Sequence, residues 1–203
     1  HQAAYQGGVW RKELLEGWLK QTKMDDVNLP TFLEHTTYDD FWKKLNAESH
    51  ADQVDAPGVF TGGWYDIFIQ GTINSFVEIN SRGGPNARGK CFLVIAPMAH
   101  GQFDEPVVYP DVSKAPINLA APMNIVEHWL RKPNKDLDTL QPVHYYVMGD
   151  CDSPGSPGNF WRSADTWPPL ANPTSYYLHP DKSLRVEAPH GDDKLTYRYD
   201  PEN

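Results

Sequence analysis

Val59-Phe60-Thr61-Gly62-Gly63-Trp64-Tyr65-Asp66 and Cys91-Phe92-Leu93-Val94-Ile95-Ala96-Pro97-Met98-Ala99-His100 are the two stretches on which the fold turns. The first opens with a short apolar run between the breakers Pro57-Gly58 and Gly62-Gly63, and it passes directly into a helical pattern with Ile69, Ile73 and Phe76 on one face. The second opens with a continuous apolar run, the mark of a strand buried on both faces of a parallel sheet. Arg82-Gly83-Gly84-Pro85-Asn86 ends the intervening helix. It reads as a turn and not a phosphate loop, because it follows a helix instead of a strand. Beyond a Pro-rich loop, Met123 to Arg131 shows a further helical pattern ended by Pro133. Strand, helix, strand, helix implies a doubly wound α/β sheet with right-handed crossovers.

Outward from this centre the period changes on both sides. Trp10, Leu14 and Trp18 fall at helical spacing with Leu15 and Leu19 beside them, after the Gly7-Gly8 break. A second short helix is expected from Tyr38 to Asn46, with acids in its first turn. Residues 1 to about 55 are therefore expected to be helical, without a strand. Past Asp136 the pattern becomes that of strands: Val143 to Met148, Ser175 to Leu178, Leu184 to Val186 and Leu195 to Tyr199. Four or five strands do not close a sandwich, since edges and inner faces stay uncovered.

Bulk properties exclude several classes of function. With 203 residues, 39% of them hydrophobic, the chain has the material for a core. A net charge of -9 with scattered Lys and Arg argues against a nucleic-acid partner. No stretch approaches the ~20 apolar residues that span a bilayer, so no membrane is expected as a partner. No targeting signal is visible at His1-Gln2-Ala3-Ala4-Tyr5, and the absence of an initiator Met argues that His1 is not a natural translation start. The compartment is therefore left open. Cys91, in an apolar run, suits a free core thiol, and Cys151 is its sole companion. The eight His are dispersed, with no HExxH and no zinc-type spacing, so neither a metal nor any other cofactor is implied. Composition sets no oligomeric state and is compatible with a homo-oligomer.

In open α/β sheets, ligands bind outside the carboxyl ends of the strands. Asp66 follows the first strand and His100 the second. An acid and then a histidine after successive strands matches the Ser, Asp, His chain order of α/β-hydrolases, with the serine upstream. In that role Asp66 orients the imidazole, and His100 takes the serine proton and later delivers it to the leaving group. A plainer reading makes Asp66 a helix N-cap and His100 a polar turn residue. Asp39 and Asp40 have two readings as well: carboxylates that hold a substrate's free amino group, or acids favoured in a helix's first turn. Trp64, Tyr65, Trp10 and Trp42 line an acyl or aryl pocket or belong to the core.

Four motifs in order give the chain a family likeness. Tyr38-Asp39-Asp40-Phe41-Trp42, Gly63-Trp64-Tyr65-Asp66 and Ala96-Pro97-Met98-Ala99-His100-Gly101 resemble the YDxFW, GWYD and GPWxHG motifs of the cocaine esterase, α-amino-acid ester hydrolase and X-prolyl dipeptidyl-peptidase family. Pro142-Val143-His144-Tyr145-Tyr146-Val147-Met148-Gly149, with Trp161-Arg162 and Trp167-Pro168-Pro169, is similar to the opening of that family's C-terminal jelly roll. The resemblance implies three parts: a helical cap segment over 1–55, the C-terminal half of an α/β-hydrolase domain over 56–138, and the start of a β-sandwich over 139–203. It also implies Asp66 as triad acid, His100 as triad base, and an ester, amide or peptide substrate. Ala96 stands where the family has Gly, and Met98 where it has Trp. No Gly-x-Ser-x-Gly occurs, and Cys151-Asp152-Ser153-Pro154-Gly155 lacks the strand-to-helix context of a nucleophile elbow. The expectation is a serine hydrolase whose nucleophile and oxyanion donors lie before His1, so that this chain alone is inactive. The rival reading is a non-catalytic binding or interaction module with a relic hydrolase half.

Overall fold

The computed structural model describes residues 5–6, 9–24, 31, 33–100, 107–117, 123–131, 135–153, 155–191 and 194–201. Two compact units divide after Trp167. At the heart of the first is a four-stranded sheet in the order β3, β4, β5, β6, formed by Val59–Gly63, Phe92–Ala96, Val143–Val147 and Phe160–Ala164. The first three strands run parallel, with Gly63 opposite Ala96 and Leu93 opposite Val143, and β6 lies antiparallel to β5.

The central strand, β4, forms where its sequence can bury both faces. All five residues of β4 are buried, and their alternation divides the core. Leu93 and Ile95 pack in one cluster with Ile73, Phe76 and Ile79 of the long helix Ile69–Arg82, while Phe92 and Val94 pack in another with Ile117 and Ile125. Burying each such side chain is worth roughly 1.5–3 kcal/mol. The expected helix and strand pattern at the centre is therefore present, as a mixed α/β arrangement with a mainly parallel sheet. The further helix appears as Met123–Leu130, while Pro133, expected to end it, lies outside the described residues.

Several expectations need revision. Residues 1 to 55 do contain strands: Tyr5–Gln6 (β1) pairs antiparallel with Val9–Trp10 (β2). Trp10 thus belongs to a hairpin, and the first helix, α1, begins at Lys12 and runs to Gln21. Its inward side is also different, for Leu19 is buried and Leu15 half-buried whereas Leu14 and Trp18 are exposed. Two apolar stripes about 100° apart compete on this helix, and periodicity does not choose between them. The second helix, α2, spans Asp40–Leu45.

Val143–Val147, read from sequence as all-β, is instead the third parallel strand of the sheet. Val143, His144 and Tyr146 are buried, so this strand is covered on both faces. His144 is a neutral core histidine: its Nδ1 lies 2.8 Å from Ser163 Oγ, and burial pushes its pKa down. In the second unit, Pro168–Asn203, the described residues form one short antiparallel pair, Tyr177–Leu178 (β7) with Leu184–Arg185 (β8). Leu195 to Tyr199, expected as a strand, is in no regular element.

Candidate active site

The sheet delivers two loops to one edge. Because Gly63 and Ala96 stand opposite each other at the ends of parallel strands, the segments after them leave side by side. Hydrogen bonds continue past the strands, from Trp64 N–H to the Ala96 carbonyl (2.9 Å) and from Tyr65 N–H to the Met98 carbonyl (3.1 Å). This approach requires Gly63 to lack a side chain: a Cβ there would stand 1.8 Å from the Met98 carbonyl oxygen.

Asp66 turns the chain into its helix, α3 (Ile69–Arg82), and faces the second loop at once. Its amide bonds back to Gly63 (3.0 Å), and Oδ1 accepts the Phe68 N–H at 2.8 Å, two residues on, as short polar side chains do in turns. Its other oxygen, Oδ2, lies 3.0 Å from Nδ1 of His100. Asp66 is therefore not the N-cap of α3: that position is Phe68, which has no side-chain cap bond, and Asp66 holds the turn before it with one oxygen and faces His100 with the other. Asp66 is sheltered, with its side chain 12% exposed, whereas the imidazole is 68% exposed. The Phe68 ring meets the imidazole edge-on, with centroids 5.0 Å apart.

With the proton on Nδ1, donated to a carboxylate, the imidazole presents the Nε2 lone pair outward, the form a general base needs. Burial pushes the Asp66 pKa up, but the Phe68 amide and His100 together outweigh it and leave the carboxyl below its ordinary value. A depressed carboxylate pKa adds stability above the unfolded value, about 3.9, and that stability is lost as pH falls through the folded value. The Asp66–His100 contact should therefore survive a descent from pH 7 to about pH 4. Carbon-detected NMR of the Asp66 carboxyl should give a midpoint below about 3.9. A midpoint at or above it would contradict this account.

The other residues singled out from sequence have structural partners. Trp64 donates its indole N–H to the Tyr146 carbonyl at 2.7 Å, and its ring packs 6.0 Å from that of Trp167. Tyr65 keeps an exposed ring beside Asp66, with its hydroxyl bonded to that of Tyr109. Asp39 caps α2 through the Phe41 amide and accepts from His35 Nδ1 at 2.6 Å; the His35 bond is the main reason its pKa is lowered. Asp40 pairs with Lys43 at 2.8 Å, and the Trp42 indole donates to the His35 carbonyl at 2.7 Å. The α2 residues thus form a local cluster, while Trp64, Tyr65, Asp66 and His100 share the strand ends.

Sequence reasoning passed over Phe68 and Tyr109. Phe68 contributes both an amide and a ring to the Asp66–His100 pair, and its signal was its position two residues after an Asp that follows a strand. Tyr109 gave no signal, because it follows a stretch of sequence with no period. A cleft of about 890 Å³ reaches Phe68 from Leu45, running along Phe60 and Thr61 of β3. No helix among the described residues is long and apolar enough to cross a membrane.

The chain is similar to known proteins over parts of its length. Residues 1–102 match the family described as X-Pro dipeptidyl-peptidase (S15 family). The "Putative serine esterase Mb1866c" of Mycobacterium bovis is 37% identical over 67 residues, 33% of this chain and 9% of that protein. Cocaine esterase of Rhodococcus sp. (strain MB1 Bresler) is 24% identical over 152 residues, covering 72% of this chain and 24% of the esterase. The chain thus spans less than a quarter of either relative's length within the matched regions. Among solved structures, the CocE/NonD family hydrolase SACOL2612 from Staphylococcus aureus shares the fold at a TM-score of 0.51 and 19% identity, over 78% of this chain and 25% of the other.

Proposed function

We propose, from the premise that this chain belongs to the X-Pro dipeptidyl-peptidase (S15) family of serine hydrolases, that Asp66 and His100 are the acid and base of its catalytic triad. The observation that carries this is the 3.0 Å contact between Asp66 Oδ2 and His100 Nδ1 at the exits of neighbouring parallel strands. A wide separation would have favoured a purely non-catalytic module. The substrate is an acyl ester or amide, or a peptide cleaved after an X-Pro dipeptide.

The chemistry follows from the orientation of the ring. As a serine oxygen attacks the acyl carbonyl, its proton passes to His100 Nε2, and the imidazolium is stabilised by the ionised Asp66. His100 then returns that proton to the leaving oxygen or nitrogen, which departs and leaves the acyl group on the serine. Water attacks the acyl-enzyme with His100 again as base, releasing the acid and regenerating the serine. The phenyl ring of Phe68 and the open face of Tyr65 flank the imidazole and carboxylate, where the acyl group would lie. Residues 1–55, with Asp39, Asp40 and Trp42, form a cap above the acyl site, and residues beyond the sheet open a jelly-roll sandwich.

No Gly-x-Ser-x-Gly occurs in these 203 residues, so the nucleophile comes from polypeptide outside them. A fluorophosphonate probe should leave the purified chain unlabelled and should label the serine of a family nucleophile half once the two are combined. Covalent labelling of the chain by itself would overturn this division.

A further inference from the structure

Among the described residues, few groups touch the His100 ring. Its side chain is 68% exposed, and the described contacts of its ring are the Asp66 oxygen and the edge of Phe68, itself an exposed residue. An exposed side chain on a loop keeps several rotamers unless its backbone is held, and general-base chemistry needs one. Something must hold the loop.

Tyr65 is placed to do so from both sides. Its amide bonds to the carbonyl of Met98, two residues before His100, at 3.1 Å. Its hydroxyl bonds to the hydroxyl of Tyr109, beyond His100 in the chain, and the two rings stack with centroids 6.5 Å apart and planes 28° apart. Tyr109 is in turn fixed to the sheet: its ring meets Tyr146 of β5 at 5.8 Å, edge to face, and the buried Tyr146 donates its hydroxyl to the carbonyl of Pro110. A chain of contacts therefore links the backbone next to the acid with Met98, just before the histidine, and with Tyr109, beyond it in sequence.

We propose that Tyr65 and Tyr109 are a positioning pair for His100, in which the bond between their hydroxyls and the Tyr65 amide on Met98 hold the base against Asp66. This deepens, and rests on, the reading of Asp66 and His100 as acid and base. It also gives Tyr65 a role beyond pocket lining, since its hydroxyl is engaged by Tyr109. Tyr109 stays neutral at ordinary pH: its Tyr65 bond, followed by burial, pushes it up to about 12.

The test is nitrogen NMR of the imidazoles in the intact chain, at a pH where His100 is neutral, with its signals assigned by their loss in His100→Gln. The parent chain should show His100 mainly with the proton on Nδ1, as donation to Asp66 requires. Tyr109→Phe keeps the ring stack and removes one hydroxyl. It should lower the ratio of the Nδ1–H to the Nε2–H form by about three- to tenfold, the net effect of one hydrogen bond. Tyr65→Phe should do the same, and the double variant should lower the ratio no further than either single change, because one bond is lost in each case. Tyr176→Phe, in the second unit, should leave the ratio unchanged. A His100 that favours Nε2–H in the parent chain overturns the acid and base reading itself. A parent chain with Nδ1–H whose ratio is untouched by both tyrosine changes leaves that reading standing and overturns the positioning pair.

Discussion

Replacing His100 by alanine should lower kcat about 10⁶-fold in an enzyme that combines this chain with the nucleophile half of a family member, with KM nearly unchanged. Loss of a triad base abolishes the proton transfer that every step uses, while binding of the ground state does not depend on it. Asp66→Asn should cost less, about 10⁴-fold, because the base remains but holds its proton on the wrong nitrogen. An asparagine presents an N–H to Nδ1 in place of an acceptor, so Nε2 must keep the hydrogen and has no lone pair for the serine. The Phe68 amide can still donate to the asparagine oxygen, so the turn that Asp66 Oδ1 organises should persist. Steady-state kinetics on the two variants check this order. A His100→Ala enzyme within tenfold of the parent would remove His100 from the mechanism.

Gly63→Ala should destabilise the fold by about 2–4 kcal/mol, in the range of severe overpacking. The new methyl would stand 1.8 Å from the Met98 oxygen and 2.6 Å from its carbonyl carbon, both backbone atoms with strand geometry behind them. Relief requires the loop after β4 to move away, which breaks the Tyr65 to Met98 bond and draws His100 from Asp66. The neighbouring Gly62→Ala provides the comparison. Its closest contact, 2.7 Å, is the terminal methyl of Ile69, the far end of a flexible side chain. That change should cost about 1 kcal/mol or less. Urea unfolding of the two variants separates them, and equal midpoints would show that the close approach at Met98 does not constrain the fold.

Much of this site was legible because short-range rules govern it. Gly62-Gly63 ends an apolar run, Asp66 begins a turn into an amphipathic helix, and His100 follows a strand buried on both faces, so each was placed at a strand exit by local pattern. What local pattern does not carry is the choice between partners. Whether Leu14 and Trp18 or Leu15 and Leu19 face inward depends on what lies against α1, and Trp10 entered a hairpin because its backbone found Tyr5. Val143 to Val147 read as the first strand of an all-β stretch because further strand patterns follow it, and the stretch contains a histidine, His144. It is buried beside Ser163, and its burial is what fits the strand to a two-sided sheet. Tyr109 was invisible for the same reason: its contacts with Tyr65 and Tyr146 span segments that no window in the sequence connects.

The strand register also bears on the order in which the molecule assembles. β3 and β4 are joined through a single helix that packs on both, whereas β5 reaches β4 only after a longer segment of chain. Ring closure costs more for the longer segment, and parallel pairing yields no bonds until that cost has been met. Asp66 and His100, 34 residues apart, both sit on the smaller ring. The acid and the histidine can therefore meet in a folding nucleus of two strands and a helix. Tyr146, carried by β5, arrives afterwards and adds its anchor to the Tyr109 region of a pair that has already formed.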